Sequence, residues 1–186
     1  MGVQDVIRQR RTVHNYQKSD ISLEDLQEGL EAALQAPNHR FTFPWRFTIV
    51  GEQTRQKLAD LAAALKAARK GERGEPREQK RARDKILNPA ALVVFFCRIS
   101  EDPFTAKEDY ASVACAIQNF TLVMTEKGYG SKWSSGKITR DPEMYRLLGV
   151  DPQSWESCGF IWVGKQDGKL ASRRRPALSD VLTVSP

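Results

Sequence analysis

Residues 106–130 read AKEDYASVACAIQNFTLVMTEKGYG, and this stretch decides the fold. Val113, Ala114, Ile117, Phe120, Leu122, Val123 and Met124 recur too densely for one helical stripe. The spacing predicts a long helix over 106–127 that is apolar nearly all round, with Gly128 as its C-terminal stop. A helix of that kind must be covered on every side. In a chain of 186 residues it is either a central core helix or the seam between two copies.

Working outward, a short strand is expected over 129–134 and a helix from Asp141-Pro142, cap and first turn, to Gly149. The last clear strand covers 158–163. Upstream, the apolar run 91–97 reads as a buried strand. The segment 71–88 is polar, charged and broken by Gly71, Gly74 and Pro76. It is expected to be a mobile surface excursion, helical in its second half at most. A helix over 54–70 carries Leu58, Leu61 and Leu65 on one face, and 45–50 is a strand closed by Gly51. Ser22 caps a helix whose periodic residues are Leu23, Leu26, Leu30, Ala33 and Leu34; Asp25 completes a box-like cap and Pro37 ends the helix. A first helix runs from Val3 to about Arg10. Helices and strands mix without a regular βαβ rhythm, so the class is α+β, a single domain over 1–186.

Composition narrows the function. The 40% hydrophobic and 28% charged residues suit a globular chain, and no apolar run approaches the roughly 20 residues of a membrane span. The first residues lack a basic segment followed by an apolar core, so no secretory leader is expected. Cys97, Cys115 and Cys158 are odd in number and widely spaced, which argues against a disulfide framework or a zinc site. They read as buried free thiols, and the cytoplasm is the expected compartment. A net charge of +6 favours anionic partners. It is concentrated: 66–85 holds nine Lys or Arg against four acids, and 165–175 five against Asp167 alone.

No phosphate-binding Gly-Lys loop, dinucleotide fingerprint or nucleophile elbow is present, and His14 and His39 are the only histidines. Reactive chemistry is therefore expected from a bound cofactor. Four segments invite one. Arg8, Arg10, Arg11 and Thr12 sit within about a turn, which suits a phosphate or simply a solvated basic helix end. The stretch 36–45, APNHRFTFPW, is a polar loop opening into a strand. The stretch 128–136, GYGSKWSSG, combines glycines, Trp133 and hydroxyls. Arg173, Arg174, Arg175 and Pro176 close the series.

In order and separation these segments resemble the short single-domain members of the nitroreductase family. The resemblance rests on Arg10-Arg11-Thr12 with Val13-His14-Asn15-Tyr16, and on Ala36-Pro37-Asn38-His39 leading to Pro44-Trp45. It continues through Asn88-Pro89-Ala90 before a buried strand, the apolar helix running to Gly130, the strand from Gly159 to Gly164, and Arg174-Arg175-Pro176. It implies a nitroreductase-like α+β fold with a central mixed or antiparallel sheet flanked by helices, and a homodimer with FMN at each subunit interface. It implies ping-pong transfer from NAD(P)H through FMN to a small-molecule acceptor such as a nitroaromatic or quinone.

Residue by residue, Arg10, Thr12, Arg174 and Arg175 match positions holding the FMN phosphate and ribityl chain, and Arg11 lies along the flavin. Gln35 and His39 match contacts from the partner subunit. Lys132, Trp133, Ser134 and Ser135 match the loop against the flavin face, with Lys132 the candidate for stabilising charge on the reduced ring. Thr12 keeps the hydroxyl of the family's usual Ser, His14 stands where Arg is common, and Phe43 replaces a residue that is often polar. The same resemblance leaves room for a flavin binder without reductase turnover, or a dehalogenating or flavin-modifying relative. A rival class is a basic nucleic-acid-binding module, in which Gly71-Glu72-Arg73-Gly74 resembles the clamp loop of KH domains. Glu72 and Glu75 sit where phosphates would go, and the flanking strands of such a module are missing.

Overall fold

The structure, a computed structural model, describes residues 2–68, 76–170 and 174–185. Strands β1 (Trp45–Ile49), β2 (Ala91–Arg98), β3 (Gly130–Ser134) and β4 (Trp155–Gly164) form one sheet in the order β1-β2-β4-β3. Every strand pairing is antiparallel, so the expected "mixed or antiparallel" sheet is antiparallel; the one parallel contact is an isolated bridge from Thr12 to Ser131.

The pleat of β2 sorts its apolar run between two cores. Val93, Phe95 and Cys97 face helices α2 (Leu23–Leu34) and α5 (Pro103–Glu126). Leu92, Val94 and Phe96 face α3 (Glu52–Ala68), α4 (Pro76–Leu87) and α6 (Pro142–Leu148). Phe95 meets Phe120 of α5 edge-on with ring centroids 5.5 Å apart. Phe95, Phe96, Phe120 and Phe160 are fully buried, each contributing about 1.5–3 kcal/mol by its removal from water.

The long helix starts earlier than its periodicity suggests. Asp102 caps it, accepting from Phe104 and Thr105, and Pro103 fills the first turn. It lies on the sheet through Val113, Ala116, Ile117, Phe120 and Met124, but its outer side is open: Phe104, Tyr110, Ala111 and Cys115 are exposed. The expectation of three buried thiols is thus corrected for Cys115, which stands on that open side, while Cys97 and Cys158 are buried.

The segment expected as a surface excursion is a structural layer from Pro76 onward. α4 packs along α3 with Ile86 buried. Arg55 of α3 secures its end, donating from Nε to Ile86 O (2.8 Å), from Nη1 to Ala90 O (3.1 Å) and from Nη2 to Leu87 O (3.0 Å) and Pro89 O. Those carbonyls would otherwise be orphaned at a helix terminus. The Gly71–Gly74 loop of the rival reading lies outside the described residues.

At the start of α2, Ser22 Oγ accepts from Asp25 N (3.0 Å), and the Asp25 side chain in turn engages that of Ser22. Its carboxylate takes Lys127 Nζ (2.8 Å) and Tyr129 Oη (2.9 Å), tying α2 to the end of α5. Among the described residues no helix is long and apolar enough to cross a membrane.

Candidate functional site

After α1 (Val3–Gln9) the chain turns extended and adds itself to the open edge of the sheet. Val13 N donates to Ser131 O (3.0 Å), Gln17 N to Lys165 O (3.1 Å) and Asp167 N to Asn15 O (3.0 Å). The Tyr16 hydroxyl donates to Val13 O (3.0 Å), and burial raises its pKa above the ordinary phenol value. This close approach needs Gly130. A Cβ there would stand 2.3 Å from Val13 Cγ2.

The arm, the segment after β4 and the C-terminal segment enclose a hollow of about 560 Å³. Arg11, Thr12, His14 and Asn15 line it from the arm, Asp167, Lys169 and Leu170 from beyond β4, and Arg175 from the chain's end. Arg10 lies beside it, half-buried. Burial lowers its pKa first, then repulsion from Arg175 and Arg11. Arg11 donates to Arg10 O (2.9 Å) and Arg8 O. Three guanidiniums crowd together here, and among the described residues Asp167 is the one carboxylate lining the hollow. An anion with several acceptor oxygens relieves that repulsion.

The hollow continues inward. His14, Asn15 and Asp167 also line a second space of about 600 Å³, closed by Arg81, Asp84 and Lys85 of α4, Lys132 of β3 and Trp162 of β4. Lys132 Nζ sits 4.6 Å from the centroid of the Trp162 ring. Burial and the nearby Lys85 hold its pKa below the ordinary lysine value. The trough as a whole runs from a guanidinium cluster at the chain ends to lysines over an indole.

Of the residues picked from sequence, Arg10, Arg11, Thr12 and Arg175 meet at one end and Lys132 stands at the other. Arg174 is exposed and does not line the trough; Arg173 lies outside the described residues. Ser134 lines an adjoining cavity with Lys132. Trp133 points elsewhere: its Nε1 donates to Cys158 O (2.8 Å). Gly159, at φ +133°, makes room for it, since a Cβ there would lie 2.8 Å from that nitrogen. Ser135 is exposed just past β3.

Gln35 and His39 are not in the trough of their own chain. Gln35 borders a shallow hollow with Glu28, Glu31 and Lys127, and His39 another with Asn38, Glu108 and Cys115. Sequence reading missed Asn15, Asp167, Arg81, Lys85 and Trp162. Arg81 and Lys85 are four apart, hence on one face of a helix, and Trp162 interrupts an aliphatic strand; both signals were available.

The loop before β1 is held under strain. Arg40, Phe41 and Phe43 have φ of 57°, 52° and 45°, a region bulky residues avoid. Asn38 fixes it, accepting from Phe43 N (2.8 Å) and donating to Thr42 Oγ1 (2.9 Å) and Ser112 Oγ (3.3 Å). The result turns Phe41 (77% exposed) and Phe43 (56%) outward, beside the open side of α5.

With this fold and this trough the chain belongs to the nitroreductase family, whose model matches residues 7–165. It is 30% identical to YfhC of Bacillus subtilis (strain 168), a provisionally named NAD(P)H nitroreductase, over 97% of this chain and 93% of that protein. Among solved structures, a nitroreductase-like family protein from Bacillus cereus is 26% identical at a TM-score of 0.86, covering 99% and 96% of the two chains. A provisionally named nitroreductase from Desulfovibrio desulfuricans, solved in complex with FMN, is 23% identical at 0.76, covering 100% and 98%.

Proposed function

We propose that the protein is an FMN-dependent NAD(P)H oxidoreductase acting as a homodimer on a nitroaromatic, quinone or similar flat acceptor. The observation that carries this is the crowding of Arg10, Arg11 and Arg175 at the mouth of a trough that ends under Lys85 and Lys132. Such repulsion is tolerated where a phosphate is to be bound. The trough fits an elongated group with an anionic head and a flat, electron-accepting ring. FMN has that form, and the related Desulfovibrio structure is a complex with FMN.

In this reading Arg10, Thr12 and Arg175 hold the phosphate, Arg11 and Asn15 the chain behind it, and Lys132 with Lys85 the ring. Held there, FMN would supply the chemistry of hydride acceptance from NAD(P)H and electron donation to the acceptor. Lys132 would place positive charge beside the ring, where it could stabilise negative charge. The buried wall of Trp162 and β4 keeps water from that side. No side chain is needed as a nucleophile. Donor and acceptor share one open face in turn, so kinetics are ping-pong.

Assembly is supported by the exposed strip of Phe41, Phe43, Phe104 and Tyr110 along the loop and α5. The partner subunit's Gln35 and His39 would then reach the flavin. Light scattering should give about twice the 21.0 kDa chain mass.

The direct test is the visible spectrum of the purified protein and its bleaching by NADH or NADPH under anaerobic conditions. A flavin that neither donor bleaches overturns the reductase reading and leaves a flavin binder of other chemistry. Calorimetric titration of the apoprotein should show Arg10→Ala and Arg175→Ala each weakening FMN by about 1.5–3 kcal/mol, roughly ten-fold to over a hundred-fold, with Arg174→Ala well below that.

A further inference from the structure

The segment beyond Arg175 has no surface of its own chain to lie on. All of 174–185 is exposed, and within it Leu178 (70%), Val181 (71%), Leu182 (54%) and Val184 (80%) hold four apolar side chains in water. Yet the segment is ordered from within. Ala177 N donates to Asp180 Oδ2 (3.0 Å), Asp180 N to Ala177 O (3.0 Å) and Leu182 N to Leu178 O (2.9 Å). Asp180 is the only charged residue over 177–185, so neither an anionic membrane surface nor a nucleic acid matches it. An apolar protein surface does.

A second observation names that surface. β1 is an edge of the sheet, paired with β2 alone. Arg98 N donates to Pro44 O (2.7 Å) and Val50 N to Leu92 O (2.9 Å), so the even-numbered residues of β1 turn their backbone groups to β2. Trp45, Phe47 and Ile49 turn theirs outward, and no described residue pairs with them. Their side chains are half-buried at the margin of the α2–α5 core. Free edges are usually blunted by proline, charge or a bulge, yet β1 pairs with β2 in unbroken register and carries one charge, Arg46. Such an edge accepts an added strand, and Val181-Leu182-Thr183-Val184 has the composition of one. The segment's own β1 lies away from it. Arg175, at its root, lines the trough beside the arm that extends the β3 edge, and β1 is the opposite edge of the sheet. The matching edge is that of a second copy. β1 also starts just after Phe43, so this contact continues the exposed aromatic strip.

We propose that residues 177–185 dock along the free edge of β1 in a second copy of this chain, and that this docking holds Arg175 at the anionic end of the trough. Assembly and cofactor affinity are then linked: FMN tightens the dimer, and the dimer tightens FMN by the same factor. The inference deepens the homodimer and FMN reading above and rests on it. The physical cause is the repulsion between Arg175 and Arg10. A segment free in water lets Arg175 swing away from that repulsion, whereas one anchored on a partner keeps it in place for the phosphate.

The test compares the full chain with one ended after Pro176, which keeps Arg175, by amide hydrogen exchange, light scattering and FMN titration. In the full chain the amides of Trp45, Phe47 and Ile49 should be protected, and dilution should release them as the mass falls towards 21.0 kDa. The shortened chain should exchange these three amides at least about tenfold faster, while the core amide of Val93 keeps its rate and shows the fold intact. It should also dissociate at higher concentration and bind FMN about tenfold more weakly, within the usual range of coupling between sites. Val184→Asp in the full-length chain should act in the same direction, and its exposed position excludes a loss of fold as the cause. Unchanged protection of β1 in the shortened chain overturns the docking. Protection that does not respond to dilution overturns it too, because the segment would then lie on its own chain. Unchanged FMN affinity in both variants overturns the link to Arg175. The two readings fail separately. A colourless protein whose mass and β1 protection fall together on shortening removes the flavin and keeps the docked segment; a yellow dimer indifferent to shortening does the reverse.

Discussion

The two faces of the sheet are both covered by helices, but one is sealed with hydrocarbon and the other is pierced by charged hollows. On the α2–α5 face Phe95, Phe120, Ile117 and Met124 are packed out of water against the sheet. On the α3–α4–α6 face Leu92, Val94 and Phe96 are just as buried, yet towards β3 the layer gives way to Arg81, Lys85 and Lys132. Adjacent residues of one strand supply both faces. The difference lies in the covering helices: α5 presents bulky apolar side chains, and α4 presents Ala82, Ile86 and cations. A face covered that thinly has room for a ligand, and stability for it must come from elsewhere.

The comparison can be broken most strongly at Phe120. Phe120→Ala removes a fully buried ring from the sealed face and should cost about 3–5 kcal/mol in urea denaturation. Because this face does not line the trough, FMN affinity of the folded variant should stay within about twofold. A large loss of affinity would mean the two faces are coupled.

Arg55→Met is the matching experiment on the open face. It removes donors to four carbonyls at and just beyond the end of α4 and should cost about 2–4 kcal/mol. Here stability and ligand binding should fall together, since Arg55 anchors the helix that carries Arg81 and Lys85. Denaturation and FMN titration on the same preparation would show whether they do.

The smallest effect concerns the join between α2 and α5. Hydrogen bonds from Lys127 and then Tyr129 hold the Asp25 carboxyl below its ordinary value of about 3.8. A depressed folded pKa contributes stability that is present above that value and fades as pH falls through the folded one. Asp25→Asn should therefore flatten the acid end of the stability profile, below about pH 4, and leave the neutral region with only a small change. An identical acid slope in both proteins would place the acid sensitivity at other carboxylates.

Much of the sealed face was legible because its signals are local. The apolar run of β2, the density of 106–127 and the cap at Ser22 each specify an element without knowledge of its neighbours. The arginine clusters at both chain ends were also visible, but only the fold brings Arg10 to Arg175, and only it selects Arg175 over Arg174. α4 was read only in its second half, and as a surface excursion, because its sequence, PREQKRARDKIL, offers little hydrophobic face of its own. Its helix is stabilised by packing on α3 and by the Arg55 clamp, interactions with residues about 30 positions away. By itself, then, the sequence determined which segments must be buried, where several helices stop, and that positive charge gathers near both ends of the chain. The tertiary structure alone decided which cations share a hollow, that Trp133 turns to Cys158 while Trp162 keeps an unmet donor, and which side of α5 stays open. Burial and propensity act on neighbours along the chain, whereas a binding site is a meeting of residues from distant segments whose distances no local pattern encodes.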